Sequence, residues 1–144
     1  MKVEHKKVET KIKSLVDILN KVPYITTHSS CQGHFNSKAT PPKNDNAHVR
    51  FHVKLPYEGE FLNLVHAILS ANIQHWTDYR IGIYKRWYMV PDELQILQYD
   101  RLLEIKLDEA ITDDRTKRRV TDEAISTTEK AILQYLESKD FNVL

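Results

Sequence analysis

The sequence predicts an α+β fold: a small mixed β-sheet packed with amphipathic helices, in a single domain over residues 1–144. Three observations carry that expectation. Apolar residues recur at helical spacing near both ends of the chain, and residues 47–53 alternate strictly between apolar and polar. The segments follow the order helix, strand, strand, helix, strand, helices, with no internal repeat and no linker.

Val8, Ile12, Leu15, Val16 and Leu19 place one apolar stripe on a first helix, which ends near Asn20 ahead of Pro23. Tyr24, Ile25, Thr26 and Thr27 favour an extended segment. Residues 35–47 hold Pro41, Pro42, Asn44 and Asn46 without apolar period, which reads as a mobile surface loop. In the next segment Ala47, Val49, Phe51 and Val53 share one face of a strand, and His48, Arg50 and His52 the other.

Pro56 and Gly59 mark a turn before a second amphipathic helix carrying Phe61, Leu64, Val65, Ile68 and Leu69. Tyr79, Ile81 and Ile83 then alternate as a strand that can continue to Val90. Residues 92–104 are read as a helix from their Leu, Gln and Glu content, although Leu94, Ile96 and Gln98 also permit a strand. A final helix through about residue 138 is marked by Val120, Ala124, Ile125, Ala131, Ile132, Tyr135 and Leu136.

Composition bounds the function classes. A 41% hydrophobic and 28% charged chain is ordinary for a globular protein, and its net charge of +1 removes any global attraction to nucleic acid or membrane. One cysteine cannot form an internal disulfide. No apolar run is long enough to cross a bilayer, and the first residues lack the apolar stretch of a secretory signal. The expectation is a soluble, cytoplasmic protein with no membrane partner.

Chemistry concentrates between Tyr24 and His34, which hold the cysteine, one of three glycines and two of seven histidines. Cys31 and His34 stand three positions apart and His48 and His52 four, an imitation of zinc-finger spacing. On a strand, however, four residues span roughly 13 Å, too far for both histidines to reach one ion at about 2 Å. One of them with Cys31 and His34 stays geometrically open. Cys31 as a nucleophile needs a cation such as His28 or His34 to lower its pKa; as a packing residue it needs nothing. Ser29, Ser30 and Gly33 suit a loop presenting hydroxyls and backbone N–H groups to an anion, or a plain turn.

Elsewhere Trp76, Tyr79, Tyr84, Trp87 and Tyr88 interleave with Arg80, Lys85 and Arg86, a composition used to stack and neutralise single-stranded nucleic acid but equally found in a core. Arg115, Lys117, Arg118 and Arg119 are offset by Asp113, Asp114, Asp122 and Glu123, as on a solvated face. His5, His66 and His75 stand alone.

Thr26-Thr27 followed by Ser29-Ser30-Cys31-Gln32-Gly33-His34 resembles the Thr-Ser-Ser-Cys-Ser-Gly-Arg signature of the tRNA wybutosine-synthesis methyltransferase family. His52-Val53 and the helix after it resemble that family's His-Val segment, and Ile81-Gly82-Ile83 its next strand, so the likeness covers roughly residues 8–90. His34 stands at the family's arginine and Gln32 at its second serine.

The resemblance implies an S-adenosylmethionine-dependent methyl transfer to a modified, wyosine-type guanosine of tRNA. Ser29, Ser30, Cys31, Gly33 and His52 fall on its motif positions. The resulting expectation is one pocket formed by residues 29–34 and the face of His48, Arg50 and His52. In it Ser29, Ser30 and Gly33 hold the cofactor, and Cys31, His48 and Arg50 meet the substrate. His34 or His52 moves the proton, and no metal is assigned. The alternative from another class is a non-enzymatic module that binds RNA or protein through the same face or the aromatic stretch.

Overall fold

A computed structural model describes residues 8–90 and 95–139; the side chains of residues 86–99 lie outside that description. Helix α1 (Thr10–Leu19) forms where its apolar stripe predicts, with Ile12, Leu15, Val16, Ile18 and Leu19 all buried. Asn20 ends it and is tied to the first strand. Its side chain donates to Thr27 Oγ1 at 2.8 Å and accepts from the Thr27 N–H at 3.0 Å.

Strand β1 (Ile25–Cys31) runs further than its β-branched start implies, so Ser29, Ser30 and Cys31 belong to a strand and not to a turn. Two three-residue strands, β2 (His34–Asn36) and β3 (Lys43–Asp45), pair as a small hairpin of their own. Within the segment 35–47, residues 35–36 and 43–45 therefore pair as a ladder, and residues 37–42 form the loop that the absence of an apolar period suggested for the whole. β3 has no buried face, because it pairs at the surface instead of packing on the core. Strand β4 (His48–Val53) shows the alternation its sequence demands, burying Val49, Phe51 and Val53.

A 3-10 turn at Leu55–Tyr57 leads into α2 (Glu58–Asn72), followed by β5 (Tyr79–Val90), β6 (Gln95–Leu107) and α3 (Asp114–Lys139). The reading of residues 92–104 as a helix is overturned from Gln95 onward; residues 92–94 lie outside the described residues. β6 pairs with β5 from Leu107 outward and with β4 through Phe51↔Arg101 to His48↔Glu104. Two ladders and the burial of Leu103 and Ile105 outweigh a local preference for helix.

The main sheet has the order β1-β4-β6-β5 and is antiparallel in each pair, where a mixture of pairings was expected. Antiparallel pairing suits a sheet with one covered face and one open face. The three helices bury one face around Phe51, which meets Phe61 edge-on at 5.8 Å. Tyr24 and Tyr135 join hydroxyls at 2.9 Å inside this core, and burial holds the Tyr24 phenol far above its ordinary pKa. No helix among the described residues is long and apolar enough to cross a membrane.

Candidate functional site

The open face of the sheet is built by register. Between Thr27 and Ser29 the ladder of β1 on β4 slips by one residue, and His28 is the extra residue of that bulge. Beyond it, Ser29 stands opposite Arg50, Arg50 opposite Leu102, and Leu102 opposite Tyr84. These four form a row across all four strands. The Tyr84 ring lies over Gly82, where a side chain would collide with it. Arg50 has no carboxylate within ion-pair distance among the described residues.

Beside this row His52, opposite Thr26, stacks on His28 with ring centroids 4.7 Å apart. His28 Nε2 is 3.1 Å from Oδ2 of Asp100, a carboxylate buried to 95% on its side chain. A carboxylate only accepts, so the hydrogen bond places a proton on His28 Nε2. His48 is anchored differently, its Nδ1 3.1 Å from the Asn46 carbonyl, and its Nε2 forms no hydrogen bond among the described residues.

A second cluster closes the end of the sheet. Gly33 takes a φ of 91°, a left-handed conformation that glycine alone adopts without strain. This turn brings His34 back toward Cys31. Together with Glu9, at the start of α1, their ligand atoms all lie within 4.8 Å of one another. His34 Nε2 is 2.9 Å from Glu9 Oε2. The Gln32 N–H donates to Glu9 Oε1 at 3.0 Å, and the Gly33 N–H to the Cys31 sulfur at 3.4 Å.

Arg118, from α3, donates to the Gly33 carbonyl at 3.0 Å and to the Gln32 carbonyl at 2.8 Å, and its guanidinium lies 5.8 Å from the Phe35 ring centroid. The basic run containing it was expected to be a solvated face. Arg118 is instead a strut between α3 and the turn, whereas Arg119 pairs with Glu123 at the surface as expected.

The expected single pocket is thus divided. Ser29, Arg50 and His52 meet on the open face, with His48 one pair along. Ser30 stands opposite buried Val49, on the helix-covered side, because strand alternation continues through it. Cys31, opposite His48 on the open face by register, joins His34 in the end cluster. The N–H groups of Gln32 and Gly33 are spent on Glu9 and Cys31, so this turn does not offer the anion cradle foreseen for Gly33. Burial pushes the Cys31 thiol up, and the Glu9 and Asp45 carboxylates push it the same way, against the Gly33 N–H and Arg118. That environment disfavours a nucleophilic thiolate.

Asp100 and Glu9 escaped the reading of the sequence, which took Arg118 only as part of a solvated face. No local signal marks them; Arg118 bonds a residue 86 positions away. Among the aromatic residues Tyr79 is core, bonded through its hydroxyl to Asn72 at 2.6 Å. Trp76 is 55% exposed, with the Arg80 guanidinium 5.3 Å from its ring and a cavity of about 280 Å³ beside it. The side chains of Arg86, Trp87 and Tyr88 lie outside the described residues, as does His5. Compared with protein families, characterised proteins and solved structures, the chain matches none.

Proposed function

We propose that the open sheet face binds RNA and that the protein transfers a methyl group from S-adenosylmethionine to a base of tRNA, in the cytoplasm. The row Ser29–Arg50–Leu102–Tyr84 supports the binding half of this reading. An antiparallel sheet with an aromatic ring and an arginine on its uncovered face has the composition that stacks bases and neutralises phosphate. The methyl-transfer half rests on the resemblance of residues 26–34 and 52–53 to the tRNA methyltransferase signature.

In this reading Arg50 takes a phosphate, with the guanidinium's fixed fork matching two oxygens. Tyr84 supplies a stacking surface and Ser29 a hydroxyl beside Arg50. S-adenosylmethionine, where bound, would supply the methyl group and leave as its neutral thioether; His52, held in orientation by the stacked His28 and, behind that, Asp100, would accept the proton that the methylated atom loses. Methyl transfer otherwise asks mainly for alignment of the two reacting centres.

Calorimetric titration with S-adenosylmethionine, followed by methyl transfer to a tRNA transcript, tests the proposal. Saturable cofactor binding and labelled RNA are expected. RNA binding without cofactor binding would leave a non-enzymatic module on the same face. A protein-binding alternative is favoured by one observation, the exposed Trp76 beside Ile73 and Leu69, and predicts that Trp76→Ala, not Arg50→Ala, removes binding.

A further inference from the structure

We propose that Glu9, Cys31 and His34 hold one divalent ion of the zinc class, with a water completing its coordination. The three side chains offer a carboxylate oxygen, a sulfur and an imidazole nitrogen, all within 4.8 Å of one another. Ligands at about 2.0–2.3 Å around a tetrahedral ion stand roughly 3.3–3.8 Å apart, so closure needs only small side-chain movements. Thiolate, carboxylate and neutral imidazole together balance a dipositive charge. Soft sulfur with imidazole selects zinc over magnesium or calcium.

The surroundings are arranged as an outer shell would be. The Gly33 N–H points at the Cys31 sulfur, where it stabilises charge on that atom. The Gln32 N–H orients the Glu9 carboxylate through Oε1, leaving Oε2 on the side of His34. The left-handed Gly33 closes the two-residue spacing between Cys31 and His34. Arg118 secures the two carbonyls of this turn, and its own charge is matched by Asp122 at 2.7 Å. Asp45, opposite His34 in the β2–β3 hairpin, adds a further negative charge near the sulfur. Each ligand comes from a different element, so the ion would pin α1, the end of β1 and the start of β2 together.

The test is titration of the chelator-treated full chain with cobalt(II), read by absorbance. A saturable sulfur-to-cobalt charge-transfer band at one ion per chain, displaced by zinc, is expected. Cys31→Ser should remove the band, and His34→Gln and Glu9→Gln should each weaken binding at least about tenfold, the scale already seen for outer-shell partners. Circular dichroism of each variant confirms folding; the His34 and Glu9 variants keep the test decisive if Cys31→Ser does not fold. Absence of the band in folded wild-type protein, or a band unchanged in His34→Gln and Glu9→Gln, overturns the site and leaves the cluster as a Glu9–His34 ion pair beside a buried thiol. Neither outcome bears on RNA or cofactor binding at the open face.

Discussion

The imidazoles of His28 and His52 stack across the first two strands of the sheet, 4.7 Å between centroids and tilted by 27°. The bulge makes this possible. It gives β1 one residue more than its partner, and that residue, His28, lies over His52 instead of taking a ladder position. One imidazole is anchored to the buried Asp100; among the described residues, the other forms no hydrogen bond.

His52→Ala should therefore separate chemistry from folding. Methyl transfer is expected to fall by at least about 10²-fold, the lower end of general-base contributions. The melting transition should move little, because His52 lies on the uncovered face. Radiolabel transfer and a thermal scan on the same preparation check both; full activity in the variant would remove His52 from the mechanism.

Arg50→Ala should weaken RNA binding and flatten its salt dependence. Loss of one phosphate contact reduces the slope of log K against log salt by about 0.7–0.9. Tyr84→Ala should weaken binding by about 1–3 kcal/mol without changing that slope, since stacking releases no counterions. Fluorescence anisotropy across a salt series distinguishes the two losses.

Arg118→Ala should destabilise the fold by about 1–3 kcal/mol, because two carbonyls and Asp122 lose a charged donor. Arg118→Lys should recover only part of this. An ammonium is a compact charge and cannot reproduce a fork that reaches Gln32, Gly33 and Asp122 together. Urea unfolding monitored by tryptophan fluorescence measures both variants.

The start of α3 should be acid-sensitive in a defined direction. Asp113 accepts from the backbone N–H and the hydroxyl of Thr116, both at 2.9 Å, and these bonds hold its carboxyl below the ordinary 3.8. Asp114 is lowered in the same way by the N–H and hydroxyl of Ser37. A depressed carboxyl contributes stability above its unfolded pKa and loses it as pH falls through the folded one. Asp113→Ala should therefore lower the melting temperature at neutral pH, and the difference from wild type should vanish well below pH 3.8. A difference that persists there would mean the cap acts through something other than its charge.

Legibility in the sequence tracked the range of the interaction. The alternation of residues 47–53 named the faces of β4 correctly, and the apolar stripes of α1, α2 and α3 were readable because neighbours three or four apart share a helix face. Residues 95–104 were misread because their Leu, Gln and Glu content favours helix locally. What decides is pairing with β4 and β5, which composition does not record. Ser30 was misplaced for a related reason: small polar residues suggested a turn, but pairing with Val49 keeps it in the ladder.

The sequence by itself determined the α+β class, the exposed face of His48, Arg50 and His52, and the turn at Gly33. Each follows from local stereochemistry: side-chain period, backbone propensity and the conformational freedom of glycine. Only the tertiary structure decided which residues share a site. It joined Asp100 to His28, Arg118 to Gln32 and Gly33, and Glu9 to Cys31 and His34, while turning Ser30 to the opposite face from the Arg50 row. Those groupings depend on one slip of register and on how α1 and α3 pack against the sheet end. Burial of a whole core sets that packing, and no short stretch of chain encodes it.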